Sequence, residues 1–393
     1  MNPPRKKETG SEPRQRRGAC PLFRPPPPWP CATAVSAVRD KRPGATAVSA
    51  VFRSLVSAFC LLLLAGCAAR QPQRPPVSYA TQDWTFGDAH GRKLTTPHYE
   101  IYTTLRDDVL VQSLPDFIEA ALERYQQLVP PAHCPDALMP VYVFASRGQW
   151  LEFTRQFTGP RYQVYVHVRN GGYTERGVVV MEYVAHSTTF PILAHEGFHQ
   201  YLHHYLGDTA PAWLNEGLAT LSEGQRWDGM RLASFDPAFN PRRRNDLAEA
   251  VVRNQLHTLP KLLQTNAGEI ITGSDRSVAT YYAQLWALML FLQEGAGGKG
   301  ARSAPASDYA SAGNHAFGER HAPGGKYALG FRKLLDSLGQ PGLEQHAKAA
   351  YIWSDEQTYD YGTALFRSFI SEDVAAVERE YLEFVRALPF AKR

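Results

Sequence analysis

The chain has 393 residues, 42 of them Lys or Arg and 38 Asp or Glu, for a formal net charge of +4, and this length admits one large domain or two to three ordinary ones. The basicity is local: residues 1–66 hold 11 of the basic and 3 of the acidic residues, leaving 31 against 35, a formal charge of −4, from Cys67 onward. No basic stripe with interleaved aromatics follows, which argues against a nucleic-acid partner.

Residues 1–50 are Pro- and Arg-rich and carry "ATAVSAV" twice, at 32–38 and 45–51. Two readings stand: translation that truly starts near Val51, or a disordered basic tail. Residues 54–67, "SLVSAFCLLLLAGC", have the proportions of a secretory h-region and fall short of the ~20 apolar residues of a bilayer-spanning helix. Leu64-Ala65-Gly66-Cys67 resembles a bacterial lipobox. The resemblance implies a signal peptide over 51–66 and lipidation of Cys67, with acyl chains holding the protein on a membrane. With Ala68 next, it also implies an outer-membrane lipoprotein of the cell envelope facing the periplasm. An ordinary signal peptide or a short anchor is the alternative. Residues 67–80 read as a Pro-rich tether. Of the five cysteines only Cys134 lies beyond Cys67, so no disulfide within the folded part is expected.

The fold class expected is α+β: a small mixed sheet with helices over 81–187, then a mainly helical part over 188–393. The sheet is read from three strands, at 98–105, 139–146 and 176–184, the last after the Gly171-Gly172 turn signal. Between them, 107–129 shows an apolar face from Val109 and Leu110 through Phe117, Ile118 and Tyr125, which predicts a helix; "RGQWLEFTRQF" predicts another. Further helices are predicted at 245–264, 278–295, 327–338 and 371–388, the last capped by Ser371 with Glu372 and Asp373 in its first turn. Residues 296–325 contain no Val, Ile, Leu or Met and read as a flexible loop.

The segment Leu193–Leu221, "LAHEGFHQYLHHYLGDTAPAWLNEGLATL", predicts two helices joined at Gly207-Asp208, the second with Pro211 in its first turn. His195 and His199 are four apart, so on a helix they share a face, and two imidazoles at that spacing can reach one zinc at ~2.0–2.1 Å. Glu196 flanks them, placed to take a proton from an attacking water. Glu216, 17 residues after His199, can complete a His₂Glu set with an open fourth position, the pattern of a catalytic zinc site. His203 continues the spacing, but two turns span about 11–12 Å, too far to share one ion directly with His195. His203 and His204 are expected near the helix C-terminus instead. Trp213 is expected to pack the two helices together, and Asn215 to hydrogen-bond the site rim, to cap, or simply to be exposed.

At these residues the chain resembles the gluzincin metallopeptidases, and more closely the "peptidase MA-like" subgroup, which pairs H-E-x-x-H with W-L-x-E-G-x-A as in His195–His199 and Trp213–Ala219. The resemblance covers about residues 95–295 and, more weakly, the C-terminal helices. It implies a zincin-type subdomain, Zn²⁺ on His195, His199 and Glu216, Glu196 as general base, and a peptide or protein substrate held as an added strand along an open edge at 176–184, with pure core packing as the alternative for that strand. It further implies an oxyanion-stabilising Tyr or His on a later helix, for which Tyr281 and Tyr282 are the candidates, with core packing as the alternative for both. Where many gluzincins carry an acidic residue supporting a zinc histidine, four after the third ligand, this chain has Thr220. A hydroxyl orients an imidazole less strongly than a carboxylate. A non-catalytic envelope binding protein on a peptidase scaffold is therefore the competing expectation.

Overall fold

The computed structural model describes residues 75–168, 171–265, 275–294, 325–345 and 360–388. The expectations for 1–50, 51–66, Cys67, most of the tether and nearly all of 296–325 fall outside them. The described residues from Val77 onward belong to one compact unit; of a second, Pro21–Pro76, only residues 75 and 76 are described. Among the described residues no helix is long and apolar enough to cross a membrane.

The fold is α+β. A six-stranded sheet runs in the order β1 (Ala80–Phe86), β2 (Ala89–Thr95), β3 (Tyr99–Thr103), β4 (Met139–Phe144), β6 (Val178–Glu182), β5 (Gly172–Glu175). The pairs β3–β4 and β4–β6 are parallel; the remaining pairs are antiparallel. The expected edge role of the 176–184 strand is corrected here. Among the described strands β6 is interior, paired on both sides, and the edge belongs to β5. A two-residue turn joins them, with Arg176 at φ 50° and Gly177 at φ 70°, the all-positive geometry that matches strand twist in a tight hairpin.

The sheet is covered on both faces, which explains the unbroken apolar run of β6. Val179 and Met181 face the main core with α1 (Asp108–Leu128), whereas Val180 faces a smaller core with Trp150 of α2 (Arg147–Thr158). The α1 helix starts at the N-cap Asp107, whose carboxylate accepts from the amides of Val109 and Leu110. Val109, read from the sequence as part of the apolar face, is 55% exposed, because it sits in the first turn beyond the sheet's cover.

Glu119 of α1 pins the start of β3: its carboxylate accepts from the Thr96 hydroxyl (2.6 Å) and the His98 amide (3.0 Å), and meets His98 Nδ1 at 2.6 Å. Burial alone would raise its pKa, but the bonds from His98 and Thr96 outweigh burial and hold it below the ordinary 4.5. A carboxyl lowered on folding contributes stability above its unfolded pKa and loses that contribution as pH falls through its folded one. Glu119→Gln is therefore expected to cost about 1–3 kcal/mol near pH 7. The gap to wild type should narrow below pH 4.5, as urea titrations at the two pH values would show.

A short α3 (Tyr162–Tyr165) lies between α2 and β5, and after the sheet come α4 (His186–Leu206), α5 (Ala212–Ser222), a β7–β8 hairpin (Gln225–Asp228, Arg231–Phe235), α6 (Pro241–Val252), α7 (Leu259–Gln264) and α8 (Asp275–Glu294). They are followed by α9 (Ala328–Ser337), α10 (Tyr361–Phe369) and α11 (Val374–Ala387). The hairpin, which the sequence reading did not place, interrupts this otherwise mainly helical second part. The cap of α11 is also corrected. Asp373 accepts from the Ala376 amide at 2.8 Å, while Ser371 lies outside the helix, its hydroxyl accepting from the Asp373 amide. Trp213 is fully buried and donates to the Gly362 carbonyl at 3.2 Å, tying α5 to α10. Cys134 is disulfide-bonded; the other four cysteines lie outside the described residues.

Candidate metal centre

The α4 helix lies against α1 and the sheet, which fixes where its polar residues go. Tyr125 of α1 donates to the Ala194 carbonyl at 2.7 Å, and a Cβ on Gly197 would come within 2.6 Å of the Tyr125 hydroxyl. A glycine inside H-E-G-F-H is therefore what lets the helix sit this close. The helix ends at Gly207 in the left-handed region, whose amide reaches back to Leu202. Pro211 occupies the N-cap of α5, one position outside the first turn expected for it. The turn brings Glu216 back over α4.

His195 Nε2 lies 3.2 Å and His199 Nε2 3.5 Å from Glu216 Oε2, and each of the three residues offers a ligand atom within 4.8 Å of the other two. Arms of about 2.1 Å to a tetrahedral zinc imply ligand–ligand edges of roughly 3.4 Å, so the donor set fits that ion. Both Nδ1 atoms are committed elsewhere. His195 Nδ1 meets Glu223 Oε1 at 2.9 Å, and His199 Nδ1 meets Asn215 Oδ1 at 2.7 Å. An acceptor at each Nδ1 assigns the proton there and leaves each Nε2 lone pair directed at the shared point. Asn215 is thus the partner that orients His199.

Thr220 does not orient His195. Its hydroxyl donates to the Gly217 carbonyl of its own helix at 2.6 Å, a local bond open to any helical threonine. The supporting carboxylate is Glu223, at the C-cap of α5 and seven residues after Glu216, so two helical turns carry it back to the same face. Arg243 grips Glu223 with two donors, Nε at 2.8 Å and Nη2 at 2.6 Å, and Asn240 Nδ2 adds a third at 2.9 Å. Sequence reasoning missed Glu223, Asn240 and Arg243. The available signals were the seven-residue spacing and the segment Asn240-Pro-Arg-Arg.

The electrostatics favour a cation. His195 and Glu216 are each 7% exposed and Glu223 8%. Burial would push the His195 pKa down, yet the bonds to Glu216 and Glu223 outweigh it and raise it to about 10. Glu216 and Glu223 are held well below the usual carboxylate range despite burial, by the two histidines and by Arg243 with His195 respectively. Glu223 carries the counter-charge of Arg243, and Glu216 faces the two histidines.

Glu196 points away from this second set of contacts toward β5, where the Thr174 hydroxyl lies 3.0 Å from its Oε2 and 2.8 Å from its carbonyl oxygen. The two candidate tyrosines separate. Tyr281 is turned away and donates to the Thr265 carbonyl at 3.1 Å. Tyr282 sets its ring edge-on to His195, centroids 5.8 Å apart, and burial together with Glu216 pushes its pKa well above 10. His203 pairs with Asp208 at 2.6 Å, and His204 Nε2 meets the Gly177 carbonyl at 2.9 Å, so neither joins the cluster. No protein-family model, curated protein or solved structure matches the chain.

Proposed function

We propose that this chain is a zinc-dependent metallopeptidase of the gluzincin type, with the helices from α4 onward as its zincin-type subdomain. The reading is carried by one observation: His195 Nε2 and His199 Nε2 converge on Glu216 Oε2, with Glu196 on the same helix and its carboxylate held by Thr174. His195, His199 and Glu216 would hold the zinc, which when bound supplies Lewis acidity toward a peptide carbonyl.

The protein's own groups do the rest. Glu196 takes the proton of the attacking water and passes it to the departing amide nitrogen. The Thr174 hydroxyl, donating to Glu196, fixes which carboxylate oxygen is free for that work. Tyr282, kept protonated by burial, donates to the oxygen that gains charge. An extended peptide pairs with the open edge of β5, which places its backbone beside Glu196. Attachment to the outer membrane through a lipidated Cys67, facing the periplasm, completes the proposal and rests on the Leu64–Cys67 motif.

Zinc-loaded protein is expected to cleave a fluorescently labelled, unfolded polypeptide. Cleavage should stop on treatment with 1,10-phenanthroline and return when zinc is restored. Cleavage that survives complete metal removal would sink the reading. A zinc-loaded protein that binds the polypeptide and leaves it intact would favour the binding-protein alternative.

A further inference from the structure

Arg243 breaks two rules of local structure. It lies in the first turn of α6, where a cation opposes the helix dipole, and it is 7% exposed. A buried cation at that position needs a reason, and the side chain's two contacts supply one. The edge of the guanidinium forks onto both oxygens of Glu223, at 2.8 and 2.6 Å. Its Cζ lies over the Tyr282 ring, 5.0 Å from the centroid. Glu223 Oε1 in turn meets His195 Nδ1 at 2.9 Å, and the Tyr282 ring stands edge-on to the same imidazole.

We propose that Arg243 is the positioning residue of the metal centre, one planar group that orients a metal-binding histidine and the neighbouring tyrosine together. This rests on the zinc reading above. The edge contact fixes the Glu223 carboxylate, and through it the rotation of the His195 ring that aims Nε2 at Glu216. The cation over the Tyr282 ring fixes that tyrosine against the imidazole. Asn240 holds the arrangement from behind: its Oδ1 accepts from the Arg243 amide at 3.2 Å while its Nδ2 donates to Glu223 at 2.9 Å. Arginine is required because its rigid fork reaches both Glu223 oxygens while Cζ stays over the Tyr282 ring. A lysine supplies the charge at a point and can satisfy only one of these two contacts.

The test compares full-length wild-type protein with Arg243→Lys. Zinc affinity is measured by chelator competition, and the visible spectrum is taken with cobalt in place of zinc. Arg243→Lys is expected to weaken zinc binding by about 10–100-fold, the range for partners that orient metal ligands, and to shift the cobalt bands as the His195 ring rotates. Arg243→Lys with unchanged affinity and unchanged bands would overturn the inference and leave the zinc reading standing. Wild type that binds no zinc would overturn both. A second measurement needs no variant: the Nε–H resonance of Arg243 in wild type should move on zinc addition and stop moving at about one equivalent. A resonance indifferent to zinc would overturn the proposal even if Arg243→Lys failed to fold.

Discussion

Glu196→Gln is expected to lower kcat for polypeptide cleavage by about 10²–10⁴-fold while leaving bound zinc unchanged. The substitution is nearly isosteric, and the amide oxygen still accepts from Thr174, whose hydroxyl lies 3.0 Å from Glu196 Oε2. What it removes is the ability to take a proton. Glu196 makes none of the contacts that join His195, His199 and Glu216, so metal affinity has no reason to change. Steady-state kinetics beside metal analysis on the same preparations would check both halves. A variant that keeps wild-type turnover would remove Glu196 from the mechanism. One that loses its zinc would show that Glu196 serves the metal rather than the proton.

The second large effect lies behind the metal site. Glu223→Ala is expected to destabilise the protein by about 3–5 kcal/mol, because it removes the bidentate partner of the buried Arg243 cation and leaves it only the charge of Asp246. It also takes the acceptor from His195 Nδ1 and leaves Asn240 Nδ2 only the Thr220 carbonyl at 3.4 Å. The penalty comes from the buried cation, so the double variant Glu223→Leu/Arg243→Met should recover most of the stability, as apolar replacements of buried ion pairs do. Zinc affinity should remain poor in both. Urea titrations of the zinc-free proteins would separate the outcomes. A cost below about 1 kcal/mol for the single variant would place the pair in the exposed class of ion pairs, contrary to their burial.

How far the sequence could be read depended on which interactions were local. The spacing of His195 and His199 fixes a shared helical face, and Trp213 to Glu216 open a second helix, so the His195–His199–Glu216 cluster was legible from periodicity. The β1–β2 hairpin was not. Most of β1 is exposed on both faces, so it lacks the apolar alternation by which strands announce themselves. The β7–β8 hairpin is short and mostly exposed or half-buried, and its Asp228-Gly229 turn was the only clear signal. Thr220 and Glu223 show the limit most plainly. Both lie on the helical face of Glu216, and periodicity cannot choose between them. The choice is tertiary: Glu223 stands at the helix end where Asn240 and Arg243 return from the hairpin to hold it, while the Thr220 hydroxyl is satisfied within its own turn. Tyr281 and Tyr282 divide for a similar reason. Adjacent helical positions differ by about 100°, and only packing reveals that the second faces His195.

The measurement that tests the central claim most directly is the metal content of the full-length protein purified with excess zinc and then dialysed, beside Glu216→Ala. About one zinc per chain in wild type, falling to a small fraction in the variant, is the predicted result. Equal zinc in both, or none in wild type, would contradict a centre built on His195, His199 and Glu216.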